Sequence, residues 1–325
     1  MMPTRRRGLR PGAYVEAEAA GIARTLAPAK VNLVLRIGGK RADGFHELVT
    51  IFQAVSLADE VEVSVKPRPS EDSISGADNG VDLFVDGPDL GPTEQNLAWR
   101  AASEFLRQSG HRGTVSIHLK KHIPAGAGLG GGSSDAAAVL RCLATLMDFT
   151  DREALHEIAA RLGSDVTFFL GASPTAIGRG RGERIEAMAA LPECRMALAL
   201  PPVHVATGPA YEALAASRSG VPPVSLPKLD AVVSWGDLLN GLAVNDFEAT
   251  VATKYPPVAL SLAAMRGAGA GLAMLSGSGA AAFGLFGESV DAVEAERECA
   301  KLSRSLKWPV VSCTTLTRMP DIDLE

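Results

Sequence analysis

No stretch of this chain approaches ~18 consecutive apolar residues, so no membrane-spanning helix is expected. The basic excess that marks nucleic-acid binders is also missing: 37 Asp and Glu against 32 Lys and Arg leave a net charge of −5. An anionic small-molecule ligand is not excluded, because a phosphate site needs only local positive potential. Cysteine is scarce. Cys142, Cys194, Cys299 and Cys313 form no CxxC pair and have no histidine at metal-ligand spacing. They read as reduced, mostly buried thiols of a cytoplasmic protein. The N-terminus carries Arg5, Arg6, Arg7 and Arg10 with no apolar segment after them, which argues against a secretory signal. Residues 1–20 are expected to be a disordered extension outside the fold.

With 325 residues, 46% hydrophobic and 21% charged, the chain has the composition of a globular protein of two domains or one large one. In residues 24–37, Val31, Leu33 and Leu35 alternate with Asn32 and Arg36, which predicts a strand. Two more strands are expected over 48–56 and 59–66, then an irregular hairpin region over 67–95. The spacing predicts a helix over 96–108, a strand over 113–119, and helices over 134–147 and 152–162, the last ended by Gly163. Past about residue 175 the expected strands are 196–200, 271–275, 281–286 and a final one at 310–315. Helices are expected over 260–267 and 288–304, with a Ser/Pro-rich loop over 216–230. Strands and helices mix without regular βαβ alternation. The fold class is therefore α+β layers rather than a doubly wound sheet, and no internal repeat is evident.

The feature that carries chemistry is the run Pro124, Ala125, Gly126, Ala127, Gly128, Leu129, Gly130, Gly131, Gly132, Ser133, Ser134, Asp135. Glycines let a ligand approach the main chain closely. Ser133, Ser134 and Asp135 offer N-caps for the helix that follows. The N-terminus of that helix, with the preceding loop amides, suits phosphate. The run lacks the Gly-Lys-Ser/Thr ending of a Walker A loop. Gly126, Gly128 and Gly131 satisfy GxGxxG, but the second strand with its acidic end that a dinucleotide site needs is absent. A glycine-rich turn with no ligand is the remaining alternative.

The pattern from Pro124 to Ser134, with a strand before it and a small-residue helix after it, resembles the GHMP kinase superfamily. The similarity extends from about Thr25 to Leu316 and is carried also by residues 27–33 (APAKVNL), 41–48 (RADGFHEL), 163–169 (GSDVTFF) and 275–280 (LSGSGA). The first two of these segments are the most specific. They resemble the branch that phosphorylates a cytidine-diphosphate-linked methylerythritol on the non-mevalonate route to isoprenoid precursors. The resemblance implies a two-domain fold, an N-terminal ribosomal-protein-S5-like domain over 21–175 and a C-terminal ferredoxin-like α/β sandwich over 176–325. It also implies ATP, with Mg2+, as the phosphoryl donor, and a small-molecule cytidine diphosphate substrate. A mevalonate- or homoserine-type kinase and a non-catalytic nucleotide-binding regulator stay open as alternatives, and so does the choice between monomer and homodimer.

The same resemblance assigns roles. Asp165 becomes the group that orients the attacking hydroxyl; by itself it reads as a helix N-cap. Lys30 becomes its partner; by itself it reads as an edge-strand lysine reaching for solvent. Asn32 shares a strand face with Lys30 and is assigned to substrate positioning. Phe45, where the family usually has tyrosine, offers a stacking face for cytosine, and His46 offers hydrogen bonds to its edge. Thr207 and Tyr211 align with the segment that closes the other side of the base. Asn96 and Lys121 match positions near the adenosine of ATP. Ser276–Gly279 matches a third glycine motif near the phosphate loop. No acidic cluster marks a metal cage, so magnesium is expected on the phosphate oxygens, with Ser133 or Ser134 as the available protein oxygens.

Overall fold

A computed structural model describes residues 15–16, 21–67, 80–218, 229, 234–287 and 290–325. Two long antiparallel strands, Gly21–Lys40 and His46–Pro67, form its spine. The expected strands 48–56 and 59–66 are thus a single element. Val55 pairs with Ala29 and Ala58 with Pro28, so residues 56 and 57 bulge out and bend the strand without ending it. A second bulge lies between Asn32 and Val34 on the partner strand. The extra residue reverses the alternation there. Val31 and Leu33 pack in one cluster and Leu35 in another, rather than sharing a face.

The two bends let one pair of strands serve two layers. Their first portion, with His111–Lys120 alongside, carries Val61, Val63, Val115 and Ile117 against the helices Leu97–Ser109, Gly131–Leu146, Arg152–Leu162 and Ser164–Leu170. Val81–Asp86 pairs in parallel with His111–Lys120. It is therefore not half of a hairpin: helix Leu97–Ser109 lies between the two strands in sequence, as a parallel crossover requires. Residues 68–79 of the expected hairpin region lie outside the described residues, as does most of the expected 216–230 loop. Within 1–20, Val15–Glu16 pair in parallel with His111 and Arg112; the rest of that extension is outside the description.

The other portion of the spine, widened by Thr175–Gly180 and Arg184–Ala187, packs Val31, Leu33 and Ile51 against Leu198, Met274 and Phe283 of a second sheet. That sheet has the order Leu272–Leu275, Ala282–Gly287, Arg195–Ala199, Val310–Thr314, all antiparallel. Its chain order, strand, helices, two strands, helix, strand, is the ferredoxin-like arrangement. Helices Thr207–Ser217, Pro256–Gly267 and Ala292–Leu306 cover its far face. The expected boundary at 175 falls where Thr175–Gly180 begins, a strand of the first sheet. The last strand is Asp323–Leu324, which returns to pair with Ala23 and Arg24, beyond the expected 310–315. The four thiols are buried and form no disulfide.

Phe105 is fully buried where helix Leu97–Ser109 meets the first layer. Phe105→Ala is predicted to destabilise the chain by about 3–5 kcal/mol. Urea unfolding checks this, and a loss under about 1 kcal/mol would show that the layer repacks.

Candidate active site

The glycine segment leaves His111–Lys120 and enters helix Gly131–Leu146 three residues earlier than the expected start at 134. Gly130, in the left-handed region, is the cap, and no side chain caps the helix. Ser133, Ser134 and Asp135 therefore sit inside the helix rather than at its N-cap. The first-turn amides, which have no intrahelical partner, face a cavity of about 350 Å³ lined by residues 124–133 with Asn96, Lys121 and Asp135. Exposed amides and the helix dipole make this wall suited to an anion.

The loop is held from both layers. Lys30 N–H donates to Leu129 O (2.9 Å) and Ala281 N–H to Ala127 O (2.9 Å). Gly128 O accepts from Lys30 Nζ (2.9 Å) and Ser276 Oγ (3.0 Å). Gly128 has φ +80°, and a Cβ on it would lie 2.3 Å from Ser276 O. Only glycine fits there. The Ser276–Gly279 turn thus packs on the loop as the sequence suggests. The turn is itself pinned by buried Asn245, whose Nδ2 donates to Leu275 O and Gly277 O (both 2.8 Å).

On the other side of Gly128 and Gly130 lies a second cavity, of about 210 Å³, lined by Lys30, Asn32, Asp165, Arg181, Thr207 and Tyr211 among others. The loop backbone is shared by both cavities. Lys30 is almost fully buried. Its ammonium donates to Asn32 Oδ1 (2.7 Å) and Gly128 O, and lies 3.7 Å from Asp165 Oδ2. Burial pulls its pKa down, against the charge of Asp165. Asn32 in turn donates to Thr50 Oγ1 (2.8 Å), which donates to Val34 O (2.6 Å). Asp165 projects from the first turn of helix Ser164–Leu170, directly after the Gly163 at which helix Arg152–Leu162 ends. A carboxylate and an ammonium therefore meet in the second cavity, beside the Gly128 and Gly130 backbone that both cavities share.

Thr207 Oγ1 shares a hydrogen bond with Ser278 Oγ (3.2 Å). Burial, with Asp165 nearby, pushes the Tyr211 phenol up to about 12. His46 stacks on Tyr211 with ring centroids 4.9 Å apart and so occupies the face expected to close on a base. Burial and the charges of Lys40 and Arg218 lower the His46 pKa, favouring the neutral ring. Phe45 is exposed, with the Arg181 guanidinium 4.8 Å from its ring centre, and does not line the 210 Å³ cavity. Asn96 caps helix Leu97–Ser109 through Ala98 N–H (2.9 Å) while facing the larger cavity.

Lys121 is not a solvated lysine. Its ammonium is buried between Asp59 and Asp135, 2.5 Å from Asp135 Oδ2. Asp59, which sequence reasoning missed, also accepts the backbone N–H groups of His122 (2.5 Å) and Ile123 (2.8 Å) at the loop entrance. Burial lowers the Lys121 pKa and the two carboxylates raise it; the net shift is upward. The hydroxyl of Ser134 and Oδ1 of Asp135 are buried with no hydrogen-bond partner among the described residues. A more open cleft of about 1090 Å³, lined by Arg24, Phe84, His118 and Arg318 among others, lies away from this chemistry and contains none of the expected site residues.

The GHMP kinases N terminal domain model matches residues 96–172, and the GHMP kinases C terminal model matches 226–304. A 4-diphosphocytidyl-2-C-methyl-D-erythritol kinase of Anaeromyxobacter sp. (strain Fw109-5) is 40% identical over 92% of this chain and 93% of its own length. That of Geobacter sp. (strain M21) is 38% identical over 90% of this chain and 98% of its own. The crystal structure of a 4-(cytidine 5'-diphospho)-2C-methyl-D-erythritol kinase matches with a TM-score of 0.71 at 36% identity, over 90% of this chain and 98% of that one. A homoserine kinase from Cytophaga hutchinsonii shares the fold, with a TM-score of 0.67 at 17% identity.

Burial, with the charge of Asp59 adding to it and Lys121 opposing it, pushes the Asp135 carboxyl up to about 7, from an ordinary 3.8. Between those values the folded chain holds a proton that the unfolded chain has released, so this group lowers stability as pH rises from about 4 to about 7. Asp135→Asn is predicted to remove that component. The stability of the variant relative to the parent chain should rise across this range in urea titrations. A constant difference from pH 4 to 7.5 would refute the assignment.

Proposed function

The chain belongs to the 4-diphosphocytidyl-2-C-methyl-D-erythritol kinase family of the GHMP kinases, and from that membership we propose that it transfers the γ-phosphoryl group of ATP to the 2-hydroxyl of 4-diphosphocytidyl-2-C-methyl-D-erythritol. The observation that carries this reading at the level of chemistry is the Lys30–Asp165 pair, set where the phosphate-binding wall and the second cavity meet. Phosphoryl transfer asks mainly for positioning and charge neutralisation, and each part has a candidate here.

The triphosphate lies along residues 124–134, held by loop amides and the start of helix Gly131–Leu146, with its nucleoside toward Asn96 and the Lys121 side of the larger cavity. Lys121 contributes there by holding the loop, since its ammonium is taken by Asp59 and Asp135. The acceptor hydroxyl sits at Asp165, which orients it and takes its proton. Lys30 holds Asp165 and Gly128 together, so the acceptor and the donor loop share one fixed reference. Asn32 fixes the ammonium from the opposite side.

The cytidine end lies among Phe45, His46, Thr207 and Tyr211, with the neutral imidazole giving up its stack on Tyr211 to the base. Phe45 keeps the stacking face of the usual tyrosine without its hydroxyl. Among the described residues no group of three or more His, Cys, Asp or Glu could hold a metal. That fits a magnesium ion carried in by the nucleotide and held mainly by phosphate oxygens. Ser133, which lines the cavity, and Ser134, whose buried hydroxyl lacks a partner among the described residues, are the protein oxygens that would join it. When bound, the ion neutralises charge on the phosphates. Among the described residues no helix is long and apolar enough to cross a membrane. The four thiols form no disulfide, which suits a reducing compartment and supports a cytoplasmic reaction.

Asp165→Asn is predicted to lower kcat by about 10²–10⁴-fold while leaving the affinity for a non-hydrolysable ATP analogue unchanged. Coupled ADP release and calorimetry check the two halves. A parent enzyme that phosphorylated mevalonate or homoserine and ignored the cytidine substrate would overturn the substrate assignment.

A further inference from the structure

A cytidine-diphosphate-linked acceptor carries a diphosphate of its own, between the base and the reacting hydroxyl. The phosphate loop faces the nucleotide cavity, so this second anion needs a separate cation. Lys30 has no donor left for it. An ammonium has three N–H groups, and those of Lys30 are directed to Asn32 Oδ1, Gly128 O and Asp165.

Most other cations around the cytidine end are matched to carboxylates; Lys40, paired with His46 across the two long strands, has no carboxylate partner among the described residues but does not line the 210 Å³ cavity. Arg41 pairs with Asp43 and Glu47, Arg184 with Glu47, and Arg179 with Glu186. Deeper in, Arg36 and Arg218 share the buried Asp246. Arg181 differs: among the described residues its guanidinium has no carboxylate partner. It lines the 210 Å³ cavity together with Lys30 and Asp165, and also stands over the ring of Phe45. It therefore touches the cytosine end and the hydroxyl end of the proposed acceptor site at once, which is where the linking diphosphate must run.

Its backbone is fixed for the purpose. Arg181 lies in the turn between Thr175–Gly180 and Arg184–Ala187, with its N–H donating to Glu183 Oε2 (2.6 Å). Gly182 N–H closes the turn on Arg179 O (3.0 Å). A guanidinium fork matches two phosphate oxygens at a time, and its cation–π contact with Phe45 would hold the base platform and the anion clamp in one register.

We propose that Arg181 is a substrate-recognition residue that binds the diphosphate of the cytidine-linked acceptor. This rests on the acceptor assignment made above. The test is calorimetric titration of cytidine and of CDP into the full chain and into Arg181→Met and Arg181→Lys, followed by steady-state kinetics.

Arg181→Met is expected to weaken CDP by about tenfold to a hundredfold, the loss of charge-assisted hydrogen bonds. Cytidine affinity should change by less than about twofold, because cytidine has no phosphate to lose. KM for the acceptor should rise in step with the CDP loss, while kcat and the KM for ATP stay within about threefold, the pattern of lost ground-state binding. Arg181→Lys should recover part of the CDP affinity. Equal losses for cytidine and CDP would show that Arg181 acts only by propping Phe45, and unchanged CDP binding would show that it does not meet the diphosphate; either overturns the proposal. A parent chain that bound neither compound would remove the acceptor assignment, and this inference with it.

Discussion

The site depends on one constraint, the seating of the glycine loop at Gly128. Its carbonyl accepts from Lys30 Nζ and from Ser276 Oγ, and its α-carbon lies so near Ser276 O that no side chain is tolerated. The first contact comes from the spine of the first sheet and the second from the turn between two strands of the second sheet. The loop is thus clamped between layers rather than hung from one strand. A loop of five glycines in seven residues would be entropically costly to order alone. Here backbone hydrogen bonds at Ala127 and Leu129 and the side-chain bonds at Gly128 hold it to two already folded sheets.

Two buried lysines bracket that loop, and their environments set them apart. Lys121 lies between two carboxylates and its pKa is pushed up, so it is a fixed structural charge. Lys30 has one carboxylate at 3.7 Å, two neutral oxygens nearer, and a pKa pulled down by burial. The first arrangement suits a strut under the loop entrance. The second ties Asp165 to the loop carbonyl through one ammonium. A Walker loop carries its lysine within the loop; here the lysine that touches the glycine segment, Lys30, comes from the neighbouring strand and binds the Gly128 carbonyl.

What was legible in the sequence is what local pattern encodes. The glycine-rich segment ahead of a helix, the helix over 152–162 with its Gly163 stop, and the strand face shared by Lys30 and Asn32 follow from spacing alone. The α+β layering follows from the lack of βαβ rhythm. The bulges at 32–34 and 56–57 were not legible, because nothing in VNLV or VSLA marks an inserted residue; the bends come from packing one strand pair on two layers. The Lys121 trio was hidden for a related reason. Asp59 opens an alternating run and reads as a turn acid, and its lysine lies 62 residues away in sequence. Asn245 sits in an unpatterned AVNDF stretch, and its role exists only once Leu275 and Gly277 are folded beside it.

The same seating accounts for where the acceptor must lie. Helix Ser164–Leu170 belongs to the first layer and supplies Asp165, while Thr207, Tyr211 and Ser278 come from the second. The 210 Å³ cavity, proposed above for the acceptor, therefore lies where the layers meet, and the Gly128 and Gly130 backbone lines both it and the 350 Å³ cavity. Lys30 of the first layer touches both the Gly128 carbonyl and Asp165, while Ser276 of the second layer touches the same carbonyl. The loop and the Asp165 carboxylate are thus referenced to one ammonium. In the assignment proposed above, selectivity for a nucleotide-linked acceptor falls to the rim, where the first layer adds Phe45, His46 and the Arg181 turn.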